Sequence, residues 1–331
     1  MRSPKAISLT SSELGYLWTG YSINEMSKWY LTLFREQAQD EKVKDLYTYA
    51  LKNANKILKE RSELLGAEGY PIPIGFSETD IDVGSPTLFS DRFLLHYLHN
   101  GSRLGLEFHS RSLASATRVD VRNYHSNCLT AAIQLNEKVM DTLLEKGVYW
   151  RTPTLPAPTY PEYIQKTDYL NGWQGDKRPL NSMELANHYQ NMDLLMIIET
   201  LCTGFAQTSD TDEVAELFLK GAKSAKKQYH ALGELLEKDE LPMPPSFSAE
   251  ITDSKQRVLS DRIMVTHVAG LLGSLLSQYG FSLGTIMKHD LVKTYSTQIV
   301  KAGAFSEKVT RFLIEKEWLE KVPGAISHKN L

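Results

Sequence analysis

The sequence predicts an all-α protein built as a tandem duplication of a ferritin-like four-helix bundle. Three observations predict it: the second half of the chain repeats the first half in order, apolar residues recur at helical spacing, and one long proline-containing crossover interrupts the helices of each copy. The repeat is the most informative of the three, because a repeated sequence unit predicts a repeated structural unit before any single residue is interpreted.

The repeat extends through most of the chain at a nearly constant offset. Pro71-Ile72-Pro73 aligns with Pro242-Met243-Pro244 and, after a gap of one residue, Ser90-Asp91-Arg92 aligns with Ser260-Asp261-Arg262. A unit of this length is a whole domain rather than the short module of a solenoid. We therefore predict two copies of one domain.

The domain boundaries follow from the repeat and from the composition between the copies. We predict a first bundle over residues 8–150, a linker over 151–179 and a second bundle over 180–325. Five prolines break helix in the linker. Its aromatic side chains favour packing on the bundles over a free tether; they are Tyr160, Tyr163, Tyr169 and Trp173.

Helical periodicity dominates within each copy. In the fourth segment of the first copy, apolar residues recur every three or four positions and form one face, which is typical of an amphipathic helix. These residues are Cys128, Ala132, Leu135, Val139 and Leu143.

Short polar residues predict where helices begin. Asp120 and Asp290 precede the apolar face of the fourth helix in each copy. They are predicted N-caps, because a short carboxylate accepts hydrogen bonds from the free amides of a first turn. Gln39-Asp40 predicts a tight turn before the second helix.

The connections between the helices are unequal and predict the topology. Helices one and two are joined by a few residues, as are helices three and four, so each pair is predicted to be an antiparallel hairpin. Helices two and three are joined by a segment over about residues 70–87. It is long enough to run the length of the bundle and to place helix three parallel to helix two. Four helices with one long crossover form a ferritin-like bundle.

Both crossovers contain the pattern Pro-x-Pro-x-(Gly/Ser)-Phe-Ser. The prolines predict an extended segment, and the phenylalanine predicts an anchor on the bundle. These motif residues are Pro71, Pro73 and Phe76 in the first copy and Pro242, Pro244 and Phe247 in the second.

The doubled bundle, the Pro-x-Pro crossover and the Ser-Asp-Arg start of helix three resemble a family of unknown function from spore-forming bacilli. That family carries two ferritin-like units per chain and is distantly similar to spore coat protein F. The resemblance covers about residues 8–325. It implies the fold and a link to the spore or to sporulation, and it implies no reaction.

Composition and charge exclude several functions. The net charge is −3 and the isoelectric point is near 6.3, so nothing favours electrostatic binding to nucleic acid or to an anionic bilayer. The two cysteines, Cys128 and Cys202, exclude a disulfide framework and an all-thiolate metal cage. They fit a reducing compartment such as the cytoplasm. Residues 1–13 lack the apolar core of a signal peptide.

One segment has the length of a membrane span. Residues 265–287 contain no Asp, Glu, Lys or Arg, and Gly280 and Gly284 form a Gly-x-x-x-Gly pair. The aligned stretch of the first copy carries charged side chains, so we expect no membrane span. We predict instead a fully buried helix at a contact between units or between chains, which would support self-association.

A ferritin-like di-iron site requires Glu-x-x-His on two of its helices, and no Glu-x-x-His occurs in the chain. We therefore expect no standard di-iron oxidase and predict no cofactor. The alternative is an irregular site for a divalent metal ion in the second copy. Its candidate ligands are Glu199, His230, Glu234 and His267. The competing interpretations are a buried carboxylate paired with a His or Tyr, and a Glu at the edge of its helix that reaches water.

Two features of the first copy leave alternatives open. Four histidines and a glutamate gather on one helix pair, where metal binding competes with satisfied core histidines: His96, His99, Glu107, His109 and His125. The first helix is rich in aromatic residues, which favour core packing, with an aromatic-lined pocket for a small apolar ligand as the alternative. These residues are Tyr16, Trp18, Tyr21, Trp29, Tyr30 and Phe34.

No phosphate loop, nucleophile elbow or dinucleotide-binding glycine pattern occurs in the chain. The sequence therefore predicts a non-enzymatic structural or interaction protein, with the spore coat or sporulation implied by the resemblance alone. Its predicted partners are further copies of the chain or other spore proteins. The alternative function is a metal- or small-molecule-binding bundle with redox activity.

Overall fold

The computed structural model describes residues 7–172 and 178–325. In these ranges every regular element is helical, with eight long α-helices, a few short 3-10 turns and one isolated β-bridge between Ile81 and Leu259. The predicted all-α tandem of four-helix bundles is confirmed.

The first bundle has short turns within each helix pair and a long crossover between the pairs, as predicted. A 3-10 turn at Glu78–Asp80 interrupts the crossover. The helices are α1 (Ser11–Gln37), α2 (Glu41–Ala67), α3 (Asp91–Ser115) and α4 (Val119–Glu145).

The carboxylate of Asp91 fixes the direction of α3. Its two oxygens accept hydrogen bonds from the backbone N–H groups of Gln39 and Asp40 at 3.0 and 2.8 Å, so α3 begins at the turn between α1 and α2. Because α2 also begins there, α3 runs parallel to α2, which is the arrangement predicted from the length of the crossover. Asp40, in the turn predicted before α2, is the N-cap of that helix.

At the opposite end of the bundle, Glu13 ties α1 to α4. Glu13 is 1% exposed, and its Oε1 accepts from the backbone N–H groups of Thr117 and Arg118 at 2.7 and 2.8 Å. Its Oε2 accepts from the backbone N–H and the hydroxyl of Thr10, which closes a capping box. Burial alone raises the pKa of a carboxyl group, but these bonds outweigh it and lower the pKa of Glu13 to about 2.

The predicted N-cap at Asp120 is wrong. Helix α4 begins at Val119, its N-cap residue is Arg118, and Asp120 lies inside the first turn, where it pairs with Arg118 at 2.6 Å. The backbone amide of Arg118 at this helix start donates to the Glu13 carboxylate of α1, so no local side chain is needed as a cap. Asp290 likewise lies inside the first turn of the corresponding helix of the second bundle.

Aromatic side chains pack the far half of the first bundle. Phe34 of α1 is fully buried and contacts the rings of Tyr47, Phe89 and Tyr97, with ring centres 6.1, 6.1 and 5.2 Å away. All three contacts are edge-to-face, a geometry that aromatic pairs favour. This part of the aromatic sequence in α1 therefore belongs to the core.

The second bundle repeats the arrangement of the first. Glu184, which aligns with Glu13, accepts from the backbone N–H of Met287 at 3.2 Å and pairs with Arg178 at 2.7 Å. The same corner is therefore tied by a buried carboxylate in both copies. The helices are α5 (Ser182–Thr208), α6 (Asp212–Lys238), α7 (Asp261–Thr285) and α8 (His289–Glu315).

Two tyrosines hold the second crossover on its bundle. The Tyr189 hydroxyl donates to the carbonyl oxygen of Pro242, and the Tyr229 hydroxyl donates to that of Pro244. Phe247, the motif phenylalanine, is 4% exposed. The Pro-x-Pro segment is thus bound through carbonyl groups that its extended backbone leaves available.

By its internal contacts the chain divides into two compact units. The first contains the residues up to Val148, Gln256–Ile263 and the described residues from Lys316 on, and the second contains Tyr149–Lys255 and Met264–Glu315.

Within the first unit, Asp80 of the first crossover is an anchor for residues of the second crossover. Its carboxylate accepts from the hydroxyl of Ser260 at 2.6 Å and pairs with Arg262 at 3.0 Å. The Arg262 guanidinium also lies 4.3 Å from the ring centre of Phe76, a cation–π contact. These bonds flank the bridge between Ile81 and Leu259.

The aromatic residues of the linker differ in their surroundings. Tyr160 and Tyr163 are 64% and 94% exposed, so these two side chains do not pack on a bundle. Tyr169 contacts the Arg178 guanidinium, 4.0 Å from its ring centre. Trp173 lies outside the described residues.

Within the single chain, helix α7 is not buried all round, so the predicted full burial of residues 265–287 would require a further contact. Phe281 is 59% exposed. A β-carbon built on any of four glycines would meet no described atom within 4 Å: Gly270, Gly273, Gly280 and Gly284. The uncharged stretch therefore includes an open face of small residues, and its role in self-association stays a prediction. Among the described helices, none combines the length and the apolar character needed to cross a bilayer.

Candidate ligand cavity in the first bundle

A cavity of about 160 Å³ lies between the four helices of the first bundle. Each helix contributes to its wall, and most of the lining side chains are small or aliphatic. The polar exceptions include Asn24 of α1, Asn53 of α2 and His109 of α3. A concave, mainly apolar space with a few polar groups is typical of a small-molecule site.

Small residues on α3 create this space. Three positions of its wall carry little or no side chain: Gly101, Ser102 and Gly105. The aligned residues of α7 are leucines that are at most 4% exposed: Leu271, Leu272 and Leu275. The second bundle therefore fills with buried leucines the positions that the first bundle leaves small.

The same contrast holds on the fourth helix of each copy. Leu135 of α4 lines the cavity, and the aligned residue of α8 is Phe305. The Phe305 ring packs so close to α6 that a β-carbon on Gly221 would lie 3.1 Å from it. A larger side chain thus occupies the interior of the second bundle at this position as well.

The cavity continues outward between α2 and α4. A second cavity of about 260 Å³ shares Asn53, Ile57 and Cys128 with the first and adds Lys56 and Glu60. Because the two cavities share wall residues, they adjoin. The Lys56 side chain is 68% exposed, so the second cavity has a polar side chain at the surface of the bundle.

Arg61 lies on α2 one helical turn beyond Ile57, which lines both cavities. It is fully buried, and its Nε donates to the Tyr124 hydroxyl at 2.7 Å. Neither Nη1 nor Nη2 has a hydrogen-bond partner among the described residues, and no carboxylate of those residues forms a salt bridge with it. A buried charge without such partners is costly.

The Arg61 guanidinium packs on the backbone of α1 at Gly20. A β-carbon built on Gly20 would lie 2.4 Å from Nη1 and 2.7 Å from Nη2. In the second copy, Gly20 aligns with Asn191 and Arg61 aligns with Leu232. The polar side chain of the second bundle is therefore on its first helix, and the apolar side chain is on its second helix.

His109 and His125 lie beside Arg61. Their Nδ1 atoms are 3.3 Å apart, and both side chains are buried. Burial, followed by the charge of Arg61, lowers the pKa of His109 to about 3 and the pKa of His125 to about 4. Both imidazoles are therefore neutral at pH 7, and they add no charge to that of Arg61.

Cys128 lines the cavity without a reactive thiolate. It is 1% exposed, and burial raises its pKa to about 11 although the charge of Arg61 opposes this. Burial also raises the pKa of the Cys202 thiol. Because the thiolate is the nucleophile, both cysteines behave as small apolar side chains at neutral pH.

In the second bundle, the interior at the height that corresponds to Arg61 contains neutral polar side chains that are hydrogen-bonded to one another. Asn191 Nδ2 donates to the Ser282 and Tyr295 hydroxyls at 2.8 and 3.1 Å. The Tyr295 hydroxyl lies 3.1 Å from His188 Nδ1, and His188 Nε2 lies 2.8 Å from the carbonyl oxygen of Leu232. Burial lowers the pKa of His188 to about 4, so this network carries no charge at pH 7.

The four metal-ligand candidates of the second copy are not gathered at one point. Glu199 is half-buried, and burial raises its pKa while the nearby His230 opposes the shift. His230 and Glu234 are exposed on α6, whereas His267 is 6% exposed on α7. The hypothesis of a four-ligand site therefore rests on the sequence pattern alone.

Of the four histidines grouped in the first copy, His109 and His125 are in contact. His96 Nε2 lies 3.0 Å from the carbonyl oxygen of Val148, and His99 is 6% exposed in the core. The charge of Arg61 beside His109 and His125 disfavours a cation there. Across residues 7–172 and 178–325, no group of three or more His, Cys, Asp or Glu side chains is placed to hold a metal ion.

Motif searching missed the residues that define this site. Arg61, Asn53 and Gly105 belong to no catalytic or ligand-binding pattern. The available signal was the repeat, because Arg61 places a charge where the second copy has Leu232, and Gly105 places a glycine where it has Leu275. Comparing the two copies position by position finds both.

A family model described as "Protein of unknown function (DUF3231)" matches the chain twice, over residues 2–159 and 168–331. The chain belongs to this family. The two DUF3231 matches follow the two copies of the repeat, and they confirm the resemblance to a duplicated family of unknown function.

One solved structure is similar to part of the DUF3231 chain. It is described as a "putative spore coat protein" from Bacillus halodurans C-125. The identity is 23% and the TM-score is 0.41, and the match covers 48% of this chain and 100% of the other. No curated protein matches the DUF3231 chain.

Proposed function

We propose that the chain is a non-enzymatic structural or interaction protein associated with the spore or with sporulation. The observation that carries the structural part is the repeated use of a buried carboxylate as a tie between helices. Glu13 and Glu184 each bind backbone amides at the start of the fourth helix of their bundle, and charge-assisted bonds of this kind fix geometry strongly. The association with the spore is supported by the family resemblance of the repeat and crossover motifs.

Spores of a strain that lacks the gene test this function. We expect an altered profile of extracted coat proteins or reduced resistance to lysozyme, restored by the wild-type gene supplied in trans. We also expect the tagged protein to co-purify with coat layers. Normal coat composition, normal resistance and no recovery of the protein from coat extracts would contradict the association.

A second candidate function, small-molecule binding by the first bundle, is favoured by one specific observation. Glycine and serine line the cavity where the second bundle has buried leucines. An interior that is kept open in one copy and filled in the other is suited to holding a ligand, since an empty cavity is destabilising.

Toluene and xenon test whether the cavity accepts any ligand. We expect both to shift NMR signals of the Ile57 methyl groups in the wild type and to have no effect in Gly105→Leu. Elemental analysis of untagged protein after loading with iron, manganese and zinc tests the metal alternative in the same preparation. One equivalent of bound metal would favour that alternative, and no shift at Ile57 would overturn the small-molecule candidate.

A further inference from the structure

The first bundle departs from the second in two ways at the same place. It leaves an open space between its helices, and one helical turn beyond that space it buries a positive charge without a carboxylate partner. Either departure alone destabilises a bundle, through lost packing or through desolvation of the charge. A ligand that fills the space and neutralises the charge would compensate for both.

The volume sets the size of the ligand body. The cavity measures about 160 Å³, and an engineered apolar cavity of about 150 Å³ binds benzene. The wall offers Leu31, Ile57, Leu98 and Leu135 to such a body. A single aromatic ring or a short branched chain therefore fits, whereas a nucleotide or a long lipid does not.

The charge sets the chemistry of the other end. Arg61 lies in the layer of the bundle next to the cavity wall. It follows Ile57 by one turn of α2, and its Nε donates to Tyr124, one turn before Cys128 on α4. Its guanidinium packs on Gly20, one turn before Asn24 on α1. Its two terminal nitrogens have no acceptor among the described side chains and backbone groups. A guanidinium whose two terminal nitrogens lack acceptors matches a carboxylate, which can accept a hydrogen bond from each of them.

A second donor stands in the side wall of the cavity. Asn53 Nδ2 is buried and has no acceptor within the described chain, although the residue lines both cavities. The aligned Ser224 in the second bundle accepts a hydrogen bond from Gln228 at 3.3 Å. An oxygen substituent on the ligand body would satisfy the Asn53 amide.

We propose that the cavity of the first bundle binds a small organic monocarboxylate, with the apolar body between the four helices and the carboxylate at the Arg61 end. This proposal rests on the second candidate function and adds the class of ligand. The juxtaposition that carries it is a buried Arg61 guanidinium with two unpaired terminal nitrogens, one helical turn beyond the wall of an apolar cavity, in the copy that lacks the filling leucines.

Three probes of one size separate the contributions of charge and space. Benzoate supplies the ring and the carboxylate, benzamide replaces the carboxylate by a neutral group, and toluene supplies the ring alone. Binding is measured at pH 7 by calorimetry and by the NMR shifts of the Ile57 methyl groups. The proteins are full-length wild type, Arg61→Leu, Gly105→Leu and the control Gly270→Leu.

The variants copy residues that the fold already accepts. Arg61→Leu and Gly105→Leu introduce the residues of the second copy, Leu232 and Leu275. A β-carbon on Gly105 meets Ala132 at an ordinary 3.5 Å, so the rest of the leucine enters the cavity. Gly270→Leu makes the same substitution on the open face of α7, where nothing described lies within 4 Å. Circular dichroism and thermal melting confirm folding before binding is measured.

We expect wild type and Gly270→Leu to bind benzoate at least about tenfold more tightly than benzamide. We expect Arg61→Leu to bind benzoate and benzamide equally and to retain toluene, and we expect Gly105→Leu to lose all three. Equal binding of benzoate and benzamide to the wild type would overturn the carboxylate assignment and leave small-molecule binding intact. If neither benzoate nor toluene shifts the Ile57 signals of the folded wild type, the carboxylate assignment and the small-molecule function both fail.

Discussion

The guanidinium of Arg61 rests directly on the backbone of Gly20, so that a β-carbon on Gly20 would fall 2.4 Å from Nη1 and 2.6 Å from the guanidinium carbon. A helix–helix contact in the first bundle thus depends on the absence of one carbon atom on α1. Glycine is costly inside a helix, and here the cost has a structural reason: the largest fully buried side chain of the described core needs the space.

Gly20→Ala should lower the free energy of unfolding by about 1–3 kcal/mol, because overpacking forces a buried side chain from its position. Gly15→Ala on the same helix is the matched control. A β-carbon there meets nothing within 4 Å, so alanine should stabilise by about 0.5–1 kcal/mol through helix propensity. Urea denaturation measures both. A destabilised Gly15→Ala, or a Gly20→Ala as stable as the control, would contradict the contact.

Arg61→Leu should raise the free energy of unfolding of the ligand-free protein by about 1 kcal/mol or more, because it removes a buried charge that has no carboxylate partner and two unpaired terminal nitrogens. In Gly20→Ala/Arg61→Leu the penalty at Gly20 should largely disappear, since the guanidinium that met the methyl group is gone. A double-mutant cycle by urea denaturation measures this coupling. Additive effects of the two substitutions would show that Gly20 is restricted by something other than Arg61.

Glu13→Gln should lower the free energy of unfolding by about 2 kcal/mol, since neutral acceptors hold the Thr117 and Arg118 amides less strongly than a carboxylate does. Glu184→Gln should act similarly in the second bundle, and the exposed Glu234→Gln serves as the control. The pKa of Glu13 is about 2 in the fold and near 4.5 when the chain is unfolded. Its contribution is therefore complete above pH 4.5 and is lost as the pH falls toward 2. The Glu13→Gln variant should lack this part of the acid sensitivity.

Acidification between pH 6.5 and about 4 should destabilise the protein through its buried histidines. Burial lowers the pKa of His188 to about 4 and those of His99 and His267 to about 3, so the unfolded chain binds protons in this range and the folded chain does not. Each such histidine removes up to about 1.4 kcal/mol per pH unit. Guanidinium denaturation at pH 7, 6, 5 and 4 measures the slope.

Substitution of one histidine tests the source of this slope. His267→Leu should flatten the pH dependence, because it removes one group that charges on unfolding. His230→Gln, at an exposed position of α6, should leave the dependence unchanged. A slope that is the same in wild type and His267→Leu would assign the acid sensitivity to other groups.

The sequence was sufficient for features that repeat or are local. The alignment of the two copies predicted the duplication, and helical spacing predicted the four helices of each copy. Gln39-Asp40 predicted the turn before α2, because such a turn is built from neighbouring residues. The cap of α4 escaped the same reasoning. The Arg118 amide at the start of α4 donates to Glu13, which lies 105 residues earlier in the chain. A tertiary contact of that kind leaves no local sequence pattern.

The site escaped sequence reasoning for a different physical reason. A cavity is made by side chains that are absent, and Gly101 and Gly105 on a helix look like ordinary small residues. Whether the side chain at position 61 faces solvent or the interior depends on the rotation of α2 about its axis. Charged residues occur around much of that helix, so the sequence does not define this rotation. Leu232, the aligned residue of the second copy, indicates that position 61 faces the interior. How the interior accommodates a guanidinium there is visible only from the packing of Gly20 and Tyr124 around it.

The tie from Glu13 to Thr117 and Arg118 also couples motions at positions far apart in the chain. When the first turn of α1 frays, the amides that precede α4 lose their acceptor, so the two segments should open in one event rather than separately. Their backbone amides should then exchange with deuterium at a common rate in the wild type. At the same corner of the second bundle, the Met287 amide donates to Glu184. The backbone amides of that corner should exchange at a rate that differs from the rate in the first bundle.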